Sequence, residues 1–280
     1  MQIHFCGVRG STPAPGIDFV RYGGHTSCVA VAHDGAPAPT LILDAGAGLQ
    51  TVSSLLAGAP FAGTILLTHV HWDHTLGLPF FAAGDRADAQ VTVLVPEQES
   101  GAEAAAVLAG MMSPPYFPIE PTELRGQWTF ATIAPGERQI EDFEVLVREI
   151  PHKGGRTFGY RLSDGRSTLA YLPDHCPTRL GPGEDGFGEY HAAAIELAQG
   201  ADVLVHDAQL FPEELATEAD WGHAIADYAV ELARRAEARS VVLFHHRPDR
   251  SDVALDGLAR RFKDVAPNVT VAAEGVVLNL

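Results

Sequence analysis

The sequence predicts a protein of mixed α and β structure, with two mostly antiparallel sheets that carry helices on their outer faces. Short β-branched and apolar runs bounded by Gly, Pro and Asp come first along the chain, and helices alternate with strands afterwards. The composition is 46% hydrophobic and 20% charged, which is typical of a globular chain with a large core. No linker or evident repeat divides the sequence, so residues 1–280 are predicted to form one domain.

Apolar and β-branched runs between turn residues predict the strands in chain order. They are Ile3–Val8, Thr26–Ala32, Thr40–Leu43, Thr64–Thr68, Val91–Val95, Thr129–Ile133, Phe143–Ile150, Thr157–Leu162, Thr168–Leu172, Val203–His206, Val241–Phe244, Val269–Ala272 and Val276–Leu280. The four runs between residues 129 and 172 are expected to form an antiparallel series.

Helices are predicted where apolar residues recur at spacings of three and four or where Ala is abundant. They are Leu49–Leu56, Glu99–Met112, Tyr190–Ala198 and Ala224–Ala238. The segment Ser113–Pro118 contains three prolines in six residues and cannot be helical.

Charge and targeting signals restrict the partners that we expect. Acidic residues outnumber basic ones by 36 to 19, giving a net charge of −17. Because Lys and Arg supply most of the affinity for phosphate backbones, no large nucleic-acid partner is expected, and anionic membranes are disfavoured too. The sequence has no signal-like start and no apolar run of membrane-spanning length, so a cytoplasmic protein is expected. Whether it forms a homodimer stays open.

Four metal-ligating side chains lie within six residues, directly after a predicted strand. Residues 69–74 read His-Val-His-Trp-Asp-His. His69 and His71 are two apart, so they point to the same side of an extended backbone. Imidazole and carboxylate together suit Zn²⁺, Mn²⁺ or Fe²⁺. The cluster therefore predicts a metal site.

This segment resembles the HxHxDH signature of the metallo-β-lactamase superfamily of binuclear metallohydrolases. The resemblance implies an αββα sandwich of two mixed, mostly antiparallel sheets flanked by helices. The family takes further ligands from a distant His, an Asp and a late His, each at a strand end. His152, Asp174 and His245 follow predicted strands in that order.

The resemblance also implies how these ligands are shared between two divalent ions, with zinc expected first and manganese or iron as alternatives. One ion would be held by His69, His71 and His152, and the second by Asp73, His74 and His245, with Asp174 between them. A hydroxide that bridges the two ions would be the nucleophile. His246 competes with His245, and His175 competes with Asp174. Asp44 is expected to hold a ligating histidine in place.

Two later segments, which contain Asp207 and His223, are similar to those of the tRNase Z and phosphoribosyl 1,2-cyclic phosphate phosphodiesterase branch. The resemblance implies that these two residues protonate the leaving group, with Asp73 as the third catalytic residue, and His206 is a candidate to orient the pair. The N-terminal segment resembles that branch as well. Candidate substrate-binding residues are Ser11, Thr12, Arg21, Tyr116, Phe117 and Lys153.

The function expected from these residues is hydrolysis of a small phosphodiester, which includes cyclic ones. Hydrolysis of a lactone, thioester or β-lactam is the first alternative, and a non-catalytic metal-stabilised scaffold or sensor is the second. The apolar loop Met111–Pro118 is a candidate lid over the substrate, with ordinary loop packing as the alternative.

Overall fold

The computed structural model describes all 280 residues and contains fourteen strands and seven α-helices. The strands are β1 (Gln2–Gly7), β2 (Cys28–Ala32), β3 (Leu41–Leu43), β4 (Ala62–Leu66), β5 (Gln90–Pro96), β6 (Gln127–Ile133), β7 (Gly136–Ile140), β8 (Phe143–Ile150), β9 (Thr157–Ser163), β10 (Thr168–Leu172), β11 (Val203–Asp207), β12 (Ser240–Phe244), β13 (Asn268–Val271) and β14 (Val277–Asn279). The helices are α1 (Leu49–Leu55), α2 (Trp72–Thr75), α3 (Ala104–Ala109), α4 (Ala192–Ala198), α5 (Pro212–Glu218), α6 (Ala226–Arg235) and α7 (Asp252–Arg261). None of these helices has the length and apolarity needed to cross a membrane.

The strands form two sheets of seven. The first has the order β14-β1-β2-β3-β4-β5-β6, and the second has the order β13-β12-β11-β10-β9-β8-β7. In the first sheet, β3 to β6 are parallel neighbours and the other pairs are antiparallel. In the second, β10 to β13 are parallel and the rest are antiparallel. The two mixed sheets are confirmed, with antiparallel and parallel pairs in equal number rather than mostly antiparallel.

Three buried apolar clusters give the molecule its layers. Alternate residues of a strand point to opposite sheet faces, as β3 shows. Leu41 and Leu43 point into the cluster between the two sheets, and Ile42 points into the cluster beneath α1 and α3. The third cluster joins the outer face of the second sheet to α4, α6 and α7. This confirms the predicted αββα arrangement.

Several predicted elements differ from the structure. The strand at 127–133 pairs in parallel with β5 in the first sheet, so the expected antiparallel series from 129 to 172 is wrong at its first member. An apolar run does not specify which sheet it joins. The predicted helix Glu99–Met112 is reduced to α3. Four elements, α2, β7, α5 and α7, were not predicted. The helix α2 is a single turn inside the metal motif, β7 and α5 are polar, and α7 contains Gly257.

Candidate metal centre and active site

The predicted ligands converge because each follows the end of a strand. His69 and His71 come after β4, and α2 then carries Asp73 and His74. On the second sheet, His152, Asp174 and His245 follow β8, β10 and β12. Since β10, β11 and β12 are parallel, their carboxyl ends lie at one edge of the sheet, and this edge faces the loop after β4. Seven side chains from both sheets therefore meet at one place.

His69, His71 and His152 form the first ligand group, with one nitrogen of each within 4.8 Å of the others. The Nδ1–H of His152 donates to the carbonyl of Gly222 at 2.7 Å, so its Nε2 is free to bind a cation. His69 Nδ1 contacts Thr68 Oγ1 at 3.1 Å, and its buried Nε2 has no hydrogen-bond partner. A buried imidazole nitrogen without a partner fits a metal ligand.

The second ligand group consists of Asp73, His74, Asp174 and His245, all of them buried. Asp174 Oδ2 lies 2.5 Å from His74 Nε2 and 3.1 Å from His245 Nε2, but it makes no hydrogen bond to either. The same oxygen is 3.9 Å from His69 Nε2 in the first group. These atoms converge on a point between the side chains, and Asp174 is placed between both groups, as expected for a bridging ligand. The donor set fits two divalent cations.

Buried partners contact two of the ligating histidines at Nδ1, the ring nitrogen that faces away from the other ligands, and fix the orientation of the rings. Asp44 accepts hydrogen bonds from His74 Nδ1 at 2.8 Å and from the Tyr171 hydroxyl at 3.0 Å. The amide of Gln209 contacts His245 Nδ1 at 3.1 Å. The Asp44 contact selects the tautomer of His74 that leaves Nε2 for the metal. The Gln209 amide nitrogen can only donate, so it holds the His245 ring through Nδ1 as acceptor. The placement of Asp44 agrees with its expected role, whereas Gln209 carried no motif that sequence reasoning could use.

Electrostatics prepares some of the ligands for cations. Burial raises the pKa of Asp73 and Asp174, but the facing histidines outweigh it and hold both carboxyl pKa values well below the usual range. Burial lowers the pKa of His152 to about 4 and lowers that of His69 well below its usual range. These two imidazoles are therefore neutral and these two carboxylates are ionised at pH 7, the forms that bind metal.

Burial lowers the pKa of His245 and of His74, but the facing carboxylates outweigh it. They raise the pKa of His245 to about 9 and that of His74 well above its usual range. A cation must therefore displace a proton from these two imidazoles.

Asp207 and His223 form a pair beside the second group. The Nδ1 of His223 lies 3.0 Å from Asp207 Oδ2 and 3.2 Å from Asp174 Oδ1. Burial lowers the pKa of His223, but Asp207 and Asp174 outweigh it and raise it to about 10. Asp207 is fully buried and also accepts hydrogen bonds from the backbone of His175 and Gln209. With Nδ1 directed to Asp207, Nε2 is the nitrogen that remains for a substrate.

Three other histidines from the sequence analysis lie outside this arrangement. His246 Nε2 contacts the carbonyl of Ala272 at 2.8 Å, which leaves His245 as the residue in the ligand group. His175 contacts His206 and His191 at 2.8 Å each, so it does not compete with Asp174. His206 contacts the backbone carbonyl of Asp207 rather than its carboxylate. Its expected role in orienting His223 is therefore not supported by a contact.

A cavity of about 410 Å³ opens directly over the ligand groups. Its lining combines ligands, the proposed proton donor and two tryptophans. It is formed by Ser11, Val70, His71, Trp72, Asp73, His152, Asp174, Trp221 and His223. The size is that of a small-molecule site. The two tryptophans were missed as site residues, although Trp72 lies inside the metal motif.

The predicted substrate-binding residues are only partly brought to this cavity. Ser11 lines it and donates its backbone N–H to Asp73 Oδ2 at 2.6 Å. Thr12 is exposed and is absent from the lining. Arg21 pairs with Asp252 and Asp256 instead and does not line the cavity, so the structure does not bring it to the site.

The loop Met111–Pro118 packs beside α2 rather than over the cavity. Met111 Sδ accepts a hydrogen bond from Thr75 Oγ1 at 2.8 Å, and Phe117 contacts Phe80 with ring centroids 6.0 Å apart. Tyr116 is 82% exposed. None of these loop residues lines the cavity, so this structure supports ordinary packing over the lid.

Lys153 follows a ligand but does not line the cavity either. Its side chain is largely exposed, with Nζ at 4.0 Å from Asp220. A weak exposed pair of this kind leaves the ammonium free to turn.

Comparison with known proteins agrees with this fold and site. Residues 40–246 match the model of the beta-lactamase superfamily domain. The chain is 26% identical over 246 residues to ribonuclease Z of Anoxybacillus flavithermus, a match covering 75% of this chain and 77% of that protein. Its fold is similar to that of the metallo-beta-lactamase fold protein YhfI from Bacillus subtilis (TM-score 0.72, 15% identity, 99% of each chain). Human tRNase Z, short form, is also similar (TM-score 0.67, 18% identity, 100% of this chain and 99% of that one).

These relatives overturn the expectation of no large nucleic-acid partner. That expectation came from the net charge of −17, whereas the curated relative is named ribonuclease Z, an enzyme of RNA. The error is physical: contacts to phosphate depend on the local charge at the site, and bound cations supply much of it.

The resemblance to the tRNase Z branch, which the segments around Asp207 and His223 indicated, is confirmed by the same relative. The fold of this family implies divalent metal ions, and the ligand groups described above suit them. Since the family model spans well over half of the 280 residues, the chain belongs to the metallo-β-lactamase superfamily and is a metal-dependent hydrolase.

Proposed function

We propose that this chain is a phosphodiesterase that holds two divalent ions, with zinc as the expected metal. The observation that carries the proposal is the Asp207–His223 pair, which lies beside both ligand groups at the wall of the cavity. Expulsion of an alkoxide from a phosphodiester requires a proton, and a histidine held by a buried carboxylate supplies one. Expulsion of a thiolate does not require one, so the pair favours phosphodiesters over thioesters.

The ligands divide between the ions by group. His69, His71 and His152 would hold one ion, while the group of Asp73, His74 and His245 would hold the other, with Asp174 shared. When bound, such ions lower the pKa of water and stabilise the negative charge that develops on phosphate oxygens.

The protein's own residues direct the leaving group. Asp207 accepts the Nδ1–H of His223 and fixes the ring, so the Nε2–H is the one that can be donated to the leaving oxygen. Burial of Asp207 excludes water from this hydrogen bond. After the transfer, solvent in the open cavity can return a proton to His223.

The first experiment measures metal content together with hydrolysis of bis(p-nitrophenyl) phosphate. We expect about two ions per chain and turnover of this ester. Asp174→Ala removes the shared carboxylate, so it should lower the metal content and reduce kcat by at least about a hundredfold.

His33→Gln is the matched control, because His33 is remote from the site and contacts Glu141 and Phe143. Two bound ions without turnover of any phosphodiester, but with turnover of lactones or thioesters, would contradict the proposal. Fewer than one ion per chain under metal-replete conditions would contradict the metal centre itself.

Leaving-group dependence tests the role of His223. Nitrophenolate leaves without a proton, whereas an alkoxide does not, so His223→Ala should change hydrolysis of bis(p-nitrophenyl) phosphate little. It should slow an alkyl or nucleoside diester about 10²–10⁴-fold. Equal losses on both kinds of substrate would assign His223 to structure or metal binding rather than to proton donation. A panel that runs from a cyclic ribose phosphodiester to an RNA with a single-stranded 3′ end then identifies the size of substrate.

A further inference from the structure

The chain has three tryptophans, and two of them line the cavity over the ligand groups. Trp72 is 73% exposed and Trp221 is 51% exposed. The indole N–H of Trp128 donates to the carbonyls of Gly84 and Arg125, whereas the other two indoles have no hydrogen-bond partner in the protein. Trp128 is thus packed for structure, while the cavity tryptophans offer both ring and N–H to the solvent.

Both tryptophans are neighbours in the chain of residues that form or hold the ligand groups. Trp72 begins α2 and lies between His71 and Asp73 in the chain. Trp221 precedes Gly222, whose carbonyl holds His152 Nδ1. Any planar group bound against these rings is therefore close to the ligand groups.

Trp221 is also supported from one side. The Arg247 guanidinium lies 5.3 Å from the centre of the Trp221 ring and pairs with Glu218 and Asp249. An arginine fixed in this way restrains the ring through a cation–π contact. The ring is therefore a positioned platform rather than a loose surface side chain.

The cations near the site are already engaged with carboxylates. Arg156, after ligand His152, pairs with Glu97 and Glu149, and Arg247, after ligand His245, pairs with Glu218. Apart from Lys153, no cationic side chain in these two segments is left for a phosphate. Besides the metal ions and Lys153, the groups that can add binding energy at this cavity are its exposed aromatic rings.

We propose that Trp72 and Trp221 bind an aromatic ring carried by the substrate next to its reacting phosphate, namely a nucleobase. This inference rests on the proposed phosphodiesterase function for the phosphate. Bases stack on aromatic side chains with a gain of roughly tenfold in affinity or more, and with little dependence on sequence. A cavity of about 410 Å³ has room for a nucleotide.

Binding of two ligands that differ only by the base tests the proposal. Adenosine 5′-monophosphate and ribose 5-phosphate share the sugar and the phosphate, so the ratio of their affinities for the metal-loaded protein isolates the base. Calorimetry should give a ratio of at least about ten for the unaltered protein. Trp72→Ala and Trp221→Ala should each lower this ratio several-fold, and the double variant should bring it close to one.

Phe80→Ala and Trp128→Phe are the matched controls. Phe80 is 56% exposed, between the values of the two cavity tryptophans, but does not line the cavity, and Trp128 is the packed tryptophan. Both variants should keep the ratio. A ratio near one in the unaltered protein, or one that the cavity variants leave unchanged, would overturn the inference.

Failure of this inference is distinguishable from failure of the proposed function. Turnover of phosphodiesters with no preference for the base would leave the phosphodiesterase in place and remove the stacking site. A base-dependent ratio without any phosphodiester turnover would keep the stacking site and remove the proposed reaction. The ring can belong to a mononucleotide ester or to the unpaired end of an RNA. To distinguish these sources, kcat/KM is measured for a nucleoside 5′-alkyl phosphate and for an RNA hairpin with a single-stranded 3′ end. The tryptophan variants should lower kcat/KM for the substrate whose base stacks at the site.

Discussion

At the scale of single residues, three positions at the site have left-handed backbone. Ser11, Asp44 and His245 have φ angles of 63°, 60° and 60°. Non-glycine residues rarely adopt this conformation, and each such position costs of order 1 kcal/mol or more. These conformations allow Ser11 to donate its backbone N–H to Asp73. They also place Asp44 at Nδ1 of His74 and His245 at Nε2 of His74. Backbone strain is thus concentrated where ligand direction matters.

Asp44→Asn tests the support behind the ligands. The amide cannot accept all the hydrogen bonds that Asp44 accepts from His74, Tyr171 and Thr68, so the His74 ring loses its fixed tautomer. We expect metal affinity to fall about 10–100-fold, as measured by competition with a chromophoric chelator. Asp34→Asn, at an exposed turn, is the control and should change nothing. Unchanged affinity in the Asp44 variant would show that the ring is held by packing alone.

At the scale of elements, the chain order predicted most of the site because metal ligands follow strand ends. The family resemblance implied this order of ligands, and it pointed to His152, Asp174 and His245, each just past an apolar run that the sequence displays plainly. The resemblance of the N-terminal segment did not locate Arg21 correctly in space, because a sequence does not reveal that an arginine has carboxylate partners on the distant helix α7.

Sequence reasoning also missed contacts between elements that are far apart in the chain. The contacts of His175 with His206 and His191 join a loop after β10, the end of β11 and the start of α4, so no local spacing signals them. His191 has its ring nitrogen satisfied through this contact. The pairing of β6 with β5 was missed for a related reason, since a strand's periodicity identifies its buried face but not the strand beside it.

At the scale of the whole molecule, one ion pair connects distant parts of the chain. His25 lies in the loop before β2, and Glu274 lies between β13 and β14. Glu274 accepts from both the backbone N–H and the Nδ1 of His25, the latter at 2.9 Å. This hydrogen bond to Glu274 raises the pKa of His25 in the folded state, in spite of partial burial. The pair therefore stabilises the protonated form of His25.

The sign of the pH dependence follows from that shift. Because the folded pKa of His25 is raised, the pair's contribution to stability is fully present below the unfolded pKa of about 6.5 and is lost as pH rises through the folded value. Glu274→Gln should therefore lower the free energy of unfolding more at pH 5.5 than at pH 9. The difference should stay below about 1 kcal/mol, since the pair is partly exposed. Urea unfolding at the two pH values measures it, and an equal loss at both would contradict the assignment.

The division of ligands between the two sheets has a consequence for folding. The first ligand group combines His69 and His71 from the first sheet with His152 from the second, and the other group is divided in the same way. Neither complete group exists until the sheets have docked, so cations bind the native chain more tightly than the unfolded one, which offers only the local run 69–74. Metal supply and folding are then thermodynamically linked: a cation present at a hundred times its dissociation constant adds at most about 2.7 kcal/mol to the stability of the native state. In a cell, metal starvation would therefore reduce the amount of folded enzyme as well as its activity.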